Sequence, residues 1–296
     1  MSRPSLKHRL EYGLFRVLSA FLTALPDGVA LRLGEGLGRV AGHVVRRRRV
    51  VVAENLARAF PDRPPAWRRR VAGDSWAHLG REAVAMLRMA RLQPEDIVAR
   101  TEVEGMDSLR SALAEGRGAV IVTGHLGSWE IGGAAVSARG IPIVAVAKPM
   151  ANRRFDADLV ATRARLGMEV VDTGAAPKRV LRALAKGRPI ALVADQNAHA
   201  NPVFVPFFGT PAATHRGPAL FALRARAPVF VGVCVRLPGP GSRYRVTLER
   251  IDVAPTGELE RDVERLTAAH TALLEEAVRR TPEQYFWQHN RWKRRG

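Results

Sequence analysis

Apolar positions fall at a helical spacing over the first ninety residues and then break into short β-branched runs separated by helical stretches. Residues 12–25 are nearly all apolar, interrupted at Arg16 and stopped by Pro26-Asp27. A bilayer span needs about 20 apolar residues, and continuing this run through 29–33 would cross Pro26 and Asp27, so the pattern predicts an interfacial or half-inserted helix rather than a span. Residues 28–58 carry the period of one or two further helices, with Gly34, Gly36, Gly38 and Gly42 placed for close packing. Pro61 to Pro65 break the chain. A long helix is then predicted over 67–91, with Val71, Trp76, Leu79, Ala83, Met86 and Met89 as its apolar positions.

Beyond residue 100 the two periods alternate. A short strand and turn are predicted at 103–107, then a helix at 108–115 closed by Gly116. The run 119–122 reads as a buried strand followed by a helix from about Ser128, a good N-cap residue. Further strands are expected at 141–147, 168–171, 190–194, 229–235 and 244–251, the last antiparallel. Helices are expected at 152–166, 177–186, 217–226 and 259–279. This is the alternation of an α/β protein with a mixed, mostly parallel sheet flanked by helices. Three sections follow: a basic N-terminus and apolar membrane-associated helix over 1–27, a helical section over 28–99, and an α/β core over 100–296.

Composition adds an electrostatic bias. Lys and Arg number 47 against 28 Asp and Glu, a formal net charge of +19, while 47% of residues are apolar. A core is affordable, and partners of negative charge are favoured: an anionic membrane, an acidic carrier protein, a phosphorylated substrate or nucleic acid. The run Arg46 to Arg49 is either a solvated helix face or a headgroup contact. Cys234 is the single cysteine and lies in an apolar strand run, so it reads as structural and no intramolecular disulfide can form.

The candidate chemistry centres on the stretch that ends the 119–122 strand, Gly124-His-Leu-Gly-Ser-Trp-Glu130. His125 falls on the loop and Glu130 in the first helical turn, so the two can meet. A His is suited to proton abstraction near neutral pH, and a carboxylate beside it fixes the tautomer and stabilises the imidazolium. Other residues at strand ends are candidates by position: Lys148 after one strand and Asp195-Gln196 after another. Arg163 and Arg165, in the helix after Lys148, either hold a phosphate or are ordinary surface arginines. Pro206-Phe-Phe-Gly209 is either a core plug or the wall of an acyl groove. The ending Tyr285-Phe-Trp-Gln-His-Asn-Arg-Trp-Lys-Arg-Arg295 mixes aromatics and bases; it suits single-stranded nucleic acid, a membrane interface, or a terminus locked down by Trp287 and Trp292. His199 and His215 lack acidic or thiol partners at ligand spacing, so no metal site is expected. No phosphate-binding glycine loop and no serine elbow is present.

The stretch at 124–130 resembles the His-x4-acid motif of glycerolipid and lysophospholipid acyltransferases, and more specifically the Gly-His-x-Gly-x-Trp-Glu form of the late acyltransferases of lipid A biosynthesis. Glu54-Asn-Leu-Ala-Arg-Ala-Phe-Pro61, Lys148-Pro149, Arg163-Ala-Arg165, Ala194-Asp-Gln196, Val205-Pro-Phe-Phe-Gly209 and Pro282-Glu-Gln-Tyr-Phe-Trp-Gln-His-Asn-Arg-Trp-Lys293 agree in order. Asn290-Arg291 after His289 departs from the basic pair more usual there. The resemblance implies transfer of a fatty acyl chain from acyl carrier protein, or from coenzyme A, to a hydroxyl of a phosphorylated lipid A precursor. It implies an enzyme without a cofactor on the cytoplasmic face of the inner membrane, peripheral or monotopic, in contact with anionic lipids. It makes His125 the general base and Glu130 its partner. Arg163, Arg165, Lys148, Asp195 and Gln196 become substrate-binding candidates, and Trp129, Phe207 and Phe208 acyl-groove candidates. Backbone N–H groups from Gly124 to Ser128 are expected to stabilise the oxyanion. The main alternative acceptor is a phosphatidylinositol mannoside with an acyl-CoA donor. A basic nucleic-acid-binding protein would explain the charge and tail but leaves His125, Glu130 and the apolar helix unexplained, so no nucleic acid partner is expected.

Overall fold

The computed structural model describes residues 6–293, apart from the side chain of Lys7. Five helices come first: α1 Leu6–Ala24, α2 Asp27–Val44, α3 Arg46–Ala59, α4 Pro65–Met89 and α5 Pro94–Arg100. Proline sets several of the boundaries, because it lacks the N–H a helix interior needs but fits the first turn: Pro65 and Pro94 open α4 and α5. The glycines of α2 have the expected role. A Cβ on Gly38 would lie 2.1 Å from the Trp76 carbonyl oxygen, and one on Gly80 would lie 2.0 Å from that of Gly34. α2 and α4 therefore pack backbone to backbone. Gly36 is the exception and faces open space.

No helix among the described residues is long and apolar enough to cross a membrane. α1 and α2 instead carry unpartnered apolar stripes, Leu6, Leu10, Leu14, Val17 and Phe21 on one and Val29, Leu33, Leu37, Val40 and Val44 on the other. Leu14 is 71% exposed and Val44 70%. The opposite side of α1 is anchored: Tyr12 and Phe15 stack edge-on against Phe155, and the Tyr12 hydroxyl donates to Asp158 at 2.7 Å. Arg88 ties the end of the helix down by donating to the Leu22 and Leu25 carbonyls.

The remaining elements are β1 Thr101–Glu104, α6 Met106–Ala114, β2 Ala119–Thr123, α7 Trp129–Ser137, β3 Val144–Ala147, α8 Arg153–Arg165, β4 Glu169–Asp172, α9 Ala176–Ala185, β5 Pro189–Val193, β6 Val203–Phe207, β7 Thr210–Thr214, α10 Gly217–Ala225, β8 Val229–Arg236, β9 Tyr244–Ile251 and α11 Leu259–Arg280. A 3-10 turn follows at Pro282–Gln284. Seven strands form one sheet in the order β1-β9-β8-β2-β5-β3-β4. Its pairings are parallel except β8 with β9, the strand expected to run antiparallel. β2 is covered on both faces: Ala119 and Ile121 pack with Ile131 and Phe230, while Val120 and Val122 pack with Val180 and Ile190. That is why it reads as an unbroken apolar run.

The apolar, aromatic segment 206–209, expected as a loop flanked by 203–205, forms the end of a hairpin. β6 and β7 pair antiparallel, and Phe208 (φ 52°) and Gly209 (φ 70°) turn the corner. Paired positive φ values match the right-handed twist of a two-residue hairpin. A phenylalanine at the first corner position carries none of the usual turn signal, which hid the hairpin. Phe208 tolerates the conformation because its N–H is bound by the Glu275 carboxylate and its ring packs against Phe60 and Trp287.

Candidate active site

The site forms where β2 and β5 end side by side. Thr123 pairs with Val193, and the Ala194 N–H bonds the Thr123 carbonyl at 3.0 Å. His125 and Asp195 therefore leave their strands at matching positions and meet. Asp195 Oδ1 lies 2.7 Å from His125 Nδ1, and Asp195 Oδ2 accepts the His125 backbone N–H at 2.8 Å. Asp195 is buried. Its carboxylate thus holds both the ring and the backbone of His125, and Nδ1 carries the proton. Nε2 is left as the basic nitrogen, with the Gln196 amide nitrogen 3.3 Å away.

Burial by itself would lower the pKa of His125. The charge and hydrogen bond of Asp195, with the charge of Glu130 behind them, outweigh burial and raise it. Asp195 shows the converse: its burial works against ionisation, but His125 and Arg291 hold its carboxyl below the usual range.

Glu130 is not the hydrogen-bond partner of His125. It sits in the first turn of α7 and forms a two-pronged pair with Arg163 of α8, Nε to Oε2 at 2.9 Å and a second N–H to Oε1 at 2.5 Å. The Trp129 indole N–H donates to the same carboxylate at 3.2 Å. The expected contact fails because a helix start turns Glu130 towards α8, while the matched register of β2 and β5 delivers Asp195 instead. The Arg163 side chain is nearly buried; burial alone would lower its pKa, but Glu130 raises it. Arg163 therefore holds Glu130 rather than standing free for a substrate phosphate.

Arg165 is placed elsewhere. It donates to the Met89 and Leu92 carbonyls at 2.8 and 3.2 Å and fastens α8 to the end of α4. Lys148 is exposed beyond β3, which is separated from β2 by β5. The expected oxyanion donors are largely engaged: besides His125, Gly127 gives its N–H to Gln284 at 3.0 Å and Ser128 gives its N–H to Cys234 at 2.8 Å. A Cβ on Gly127 (φ 59°) would come within 1.9 Å of the Cys234 carbonyl oxygen, so this close crossing of β8 requires glycine. Cys234 is itself buried, and burial pushes its thiol pKa up, away from a nucleophile's.

A groove of about 170 Å³ opens on His125. One wall is the α4 face with Leu79, Ala83 and Met86; the other carries Trp129 and Phe286. Trp129 is edge-on to the His125 ring at 4.6 Å. Phe207 and Phe208 take no part in this groove. They are 1% and 7% exposed, packed with Tyr285, Trp287 and Trp292 in a plug under the hairpin. Of the alternatives open for this segment, the structure shows the core plug.

The C-terminal segment completes the site. Leu126 bridges to Tyr285, the Phe286 N–H bonds the His125 carbonyl at 2.9 Å, and burial, with the charge of Asp195, pushes the Tyr285 pKa up. His289 Nε2 accepts the Asn197 N–H at 2.9 Å, and burial, with the charges of His125, Arg291 and Arg48, lowers its pKa to about 4 against the opposing charge of Asp195. Asn55 of α3 anchors the segment by donating to the Trp287 and His289 carbonyls at 2.8 and 2.7 Å. Trp287 and Trp292 are buried, so the aromatic-basic ending is a lock rather than a free binding strip. Asn55, Tyr285, Phe286 and His289 were all within motifs recognised in the sequence, but nothing in their spacing tied them to His125.

The chain matches the family described as bacterial lipid A biosynthesis acyltransferase over residues 3–294. It belongs to that family. This acyltransferase is 30% identical over 274 residues to the lipid A biosynthesis lauroyltransferase of Escherichia coli (strain K12), covering 92% of this chain and 87% of that one. It is 29% identical over 276 residues to the lipid A biosynthesis palmitoleoyltransferase of the same organism, with the same coverage of each chain. A phosphatidylinositol mannoside acyltransferase from Mycolicibacterium smegmatis is 30% identical over 164 residues, covering 54% of this chain and 53% of that one.

Proposed function

We propose that this acyltransferase moves a fatty acyl chain from the thioester of acyl carrier protein to a hydroxyl of a phosphorylated lipid A precursor, with His125 as general base. The observation that carries this reading is the oriented His125. Its Nδ1 is held by Asp195 and its Nε2 adjoins an apolar groove. The acceptor hydroxyl gives its proton to Nε2 as its oxygen attacks the thioester carbonyl. The tetrahedral intermediate then expels the thiolate, which takes that proton from the imidazolium. Asp195 stabilises the transient cation, and Glu130, paired with Arg163, adds negative charge at longer range. With the 125–128 amides mostly engaged, the Gln196 amide, 3.3 Å from His125 Nε2, is the oxyanion donor in this reading.

The α1–α2 stripes serve as a membrane-docking face on the cytoplasmic side of the inner membrane. The occupant is an anionic leaflet, because the apolar stripe of α2 runs directly into Arg46 to Arg49 at the start of α3. Arg48 also donates to the Gln288 carbonyl at 3.1 Å, which sets this basic corner beside the C-terminal segment of the site. A glycolipid acceptor would thus reach His125 from the membrane, with its phosphates near the arginines.

The test is transfer by the purified protein in detergent from acyl carrier protein thioester to a phosphorylated glucosamine disaccharide lipid. Transfer is expected, and His125→Ala is expected to abolish it with thermal stability preserved. Transfer to a phosphatidylinositol mannoside in preference would reassign the acceptor. Near-normal turnover by His125→Ala would remove the base assignment.

A further inference from the structure

Trp129 is the first residue of α7, and Gly132, Gly133 and Val136 follow it at helical spacing, so the four share one face of the helix. That face looks onto the sheet: a Cβ on Gly132 would lie 2.9 Å from the Cβ of Cys234 in β8. A large ring followed by two residues without side chains leaves a second cavity, of about 50 Å³, between α7 and the strands. Ile121, Val136, Ile143, Ala191 and Leu248 wall it, and Thr123, the last residue of β2, marks its end towards His125. Ala191 shows that the space is open. It lies mid-strand in β5, paired with Ile121 of β2 on one side and Ala145 of β3 on the other, yet it is only half-buried.

Trp129 is the one residue common to the linings of this cavity and of the 170 Å³ groove beside His125. Its ring therefore stands between the two. The ring is held in place, edge-on to the His125 ring at 4.6 Å, with its indole N–H given to Glu130 at 3.2 Å and Glu130 fixed in turn by Arg163 at 2.9 Å. The partition thus lies beside the reacting centre. A chain whose carbonyl sits at His125 Nε2 passes the indole with its first few carbons. The cavity walls are apolar and suit hydrocarbon rather than water, so the indole is what withholds this space from the chain.

We propose that Trp129 makes this acyltransferase selective for acyl chains that are unbranched next to the carbonyl, by closing the cavity behind it to a side branch. This rests on the reading that the groove holds the transferred chain. Trp129 is then a specificity residue: it decides which chain fits beside His125 and takes no part in moving the proton. A space of about 10–15 Å³ holds one water-sized group, so a 50 Å³ cavity joined to the groove has room for a methyl or ethyl branch.

The experiment sets acyl carrier protein thioesters in competition for one phosphorylated glucosamine disaccharide lipid, with the full chain in detergent and the products measured by mass spectrometry. A straight chain competes in turn with 3-methyl and 4-methyl chains of the same main-chain length. The product ratio is the ratio of kcat/KM values, and comparing variant with parent cancels intrinsic reactivity. The parent is expected to favour the straight chain by about tenfold or more, the effect of one surplus methyl group in a filled pocket. Trp129→Ala, with Trp129→Leu as a second variant, should bring straight and branched chains within about threefold, whatever the absolute rates. Ala191→Val fills the cavity from the sheet side. It should leave the parent's ratio unchanged and restore most of the preference in the Trp129→Ala background. Circular dichroism checks each fold. The proposal is overturned if the parent takes branched chains as readily as straight ones, if both Trp129 variants keep the parent's preference, or if Ala191→Val has no effect in the Trp129→Ala background. In each of those cases transfer of the straight chain leaves the acyl-transfer reading standing. No transfer of any chain by the parent would remove that reading and the selectivity with it.

Discussion

Asp195→Asn separates the carboxylate that holds His125 from the one that does not. Asp195 receives two N–H groups from His125, at 2.7 and 2.8 Å, through its two oxygens. Asparagine has one acceptor oxygen, so one of those N–H groups must face an NH2. If the backbone N–H keeps its acceptor, the ring must turn its other tautomer to the amide and present a protonated Nε2 to the substrate. A wrong tautomer in a comparable His–carboxylate pair is worth about 10⁴ in rate. The electrostatic effect is separable from this. A unit charge pair at 2.7 Å is worth about 6 kcal/mol at an effective dielectric of about 20, and burial of the imidazole opposes it. With Asp195 present the balance raises the His125 pKa; without it, burial dominates and lowers it. Because the base must be unprotonated, the rate of the parent should rise with pH through a pKa above the ordinary 6.5. In the variant this acid limb should move to lower pH while the plateau falls by about 10³–10⁴-fold. The assay is kcat/KM for acyl transfer against pH, with circular dichroism to confirm the fold. A plateau within tenfold of the parent, or an acid limb that stays in place, would refute the assignment of Asp195 as the partner of His125.

Other perturbations follow from the same geometry. Glu130→Gln leaves the Arg163 guanidinium buried without its counter-charge, so unfolding stability should fall by about 3–5 kcal/mol, measured by denaturant titration, and turnover should fall with it. Phe207→Ala should cost about 3–5 kcal/mol of stability, with thioester affinity unchanged, because its 1% exposed ring fills the plug and not the groove. Leu14→Glu combined with Leu37→Glu should reduce partitioning onto anionic vesicles by about a hundredfold or more in flotation, since each side chain buried in lipid contributes about 1.5–3 kcal/mol; unchanged flotation would defeat the docking face.

The centre of the sheet was legible in the sequence because β2 and β8 are buried on both sides and read as unbroken apolar runs, while β9 alternates buried and exposed positions. β9 was legible as antiparallel, and Gly34, Gly38 and Gly42 were legible as close-packing positions. The site was legible only in part. His125, Asp195 and Gln196 were all identifiable as strand-end residues, yet which carboxylate binds His125 depends on the register between β2 and β5, and register is a property of two distant segments. Local spacing pointed to Glu130, five residues away, whereas the β-sheet brings Asp195 across a separation of 70 residues. The same limit explains the groove. Phe207 and Phe208 have the composition of an acyl wall, but the hairpin turns them into the plug. The wall facing Trp129 comes from α4, whose Leu79, Ala83 and Met86 looked like an ordinary core stripe. An apolar helix face does not disclose whether protein or ligand covers it.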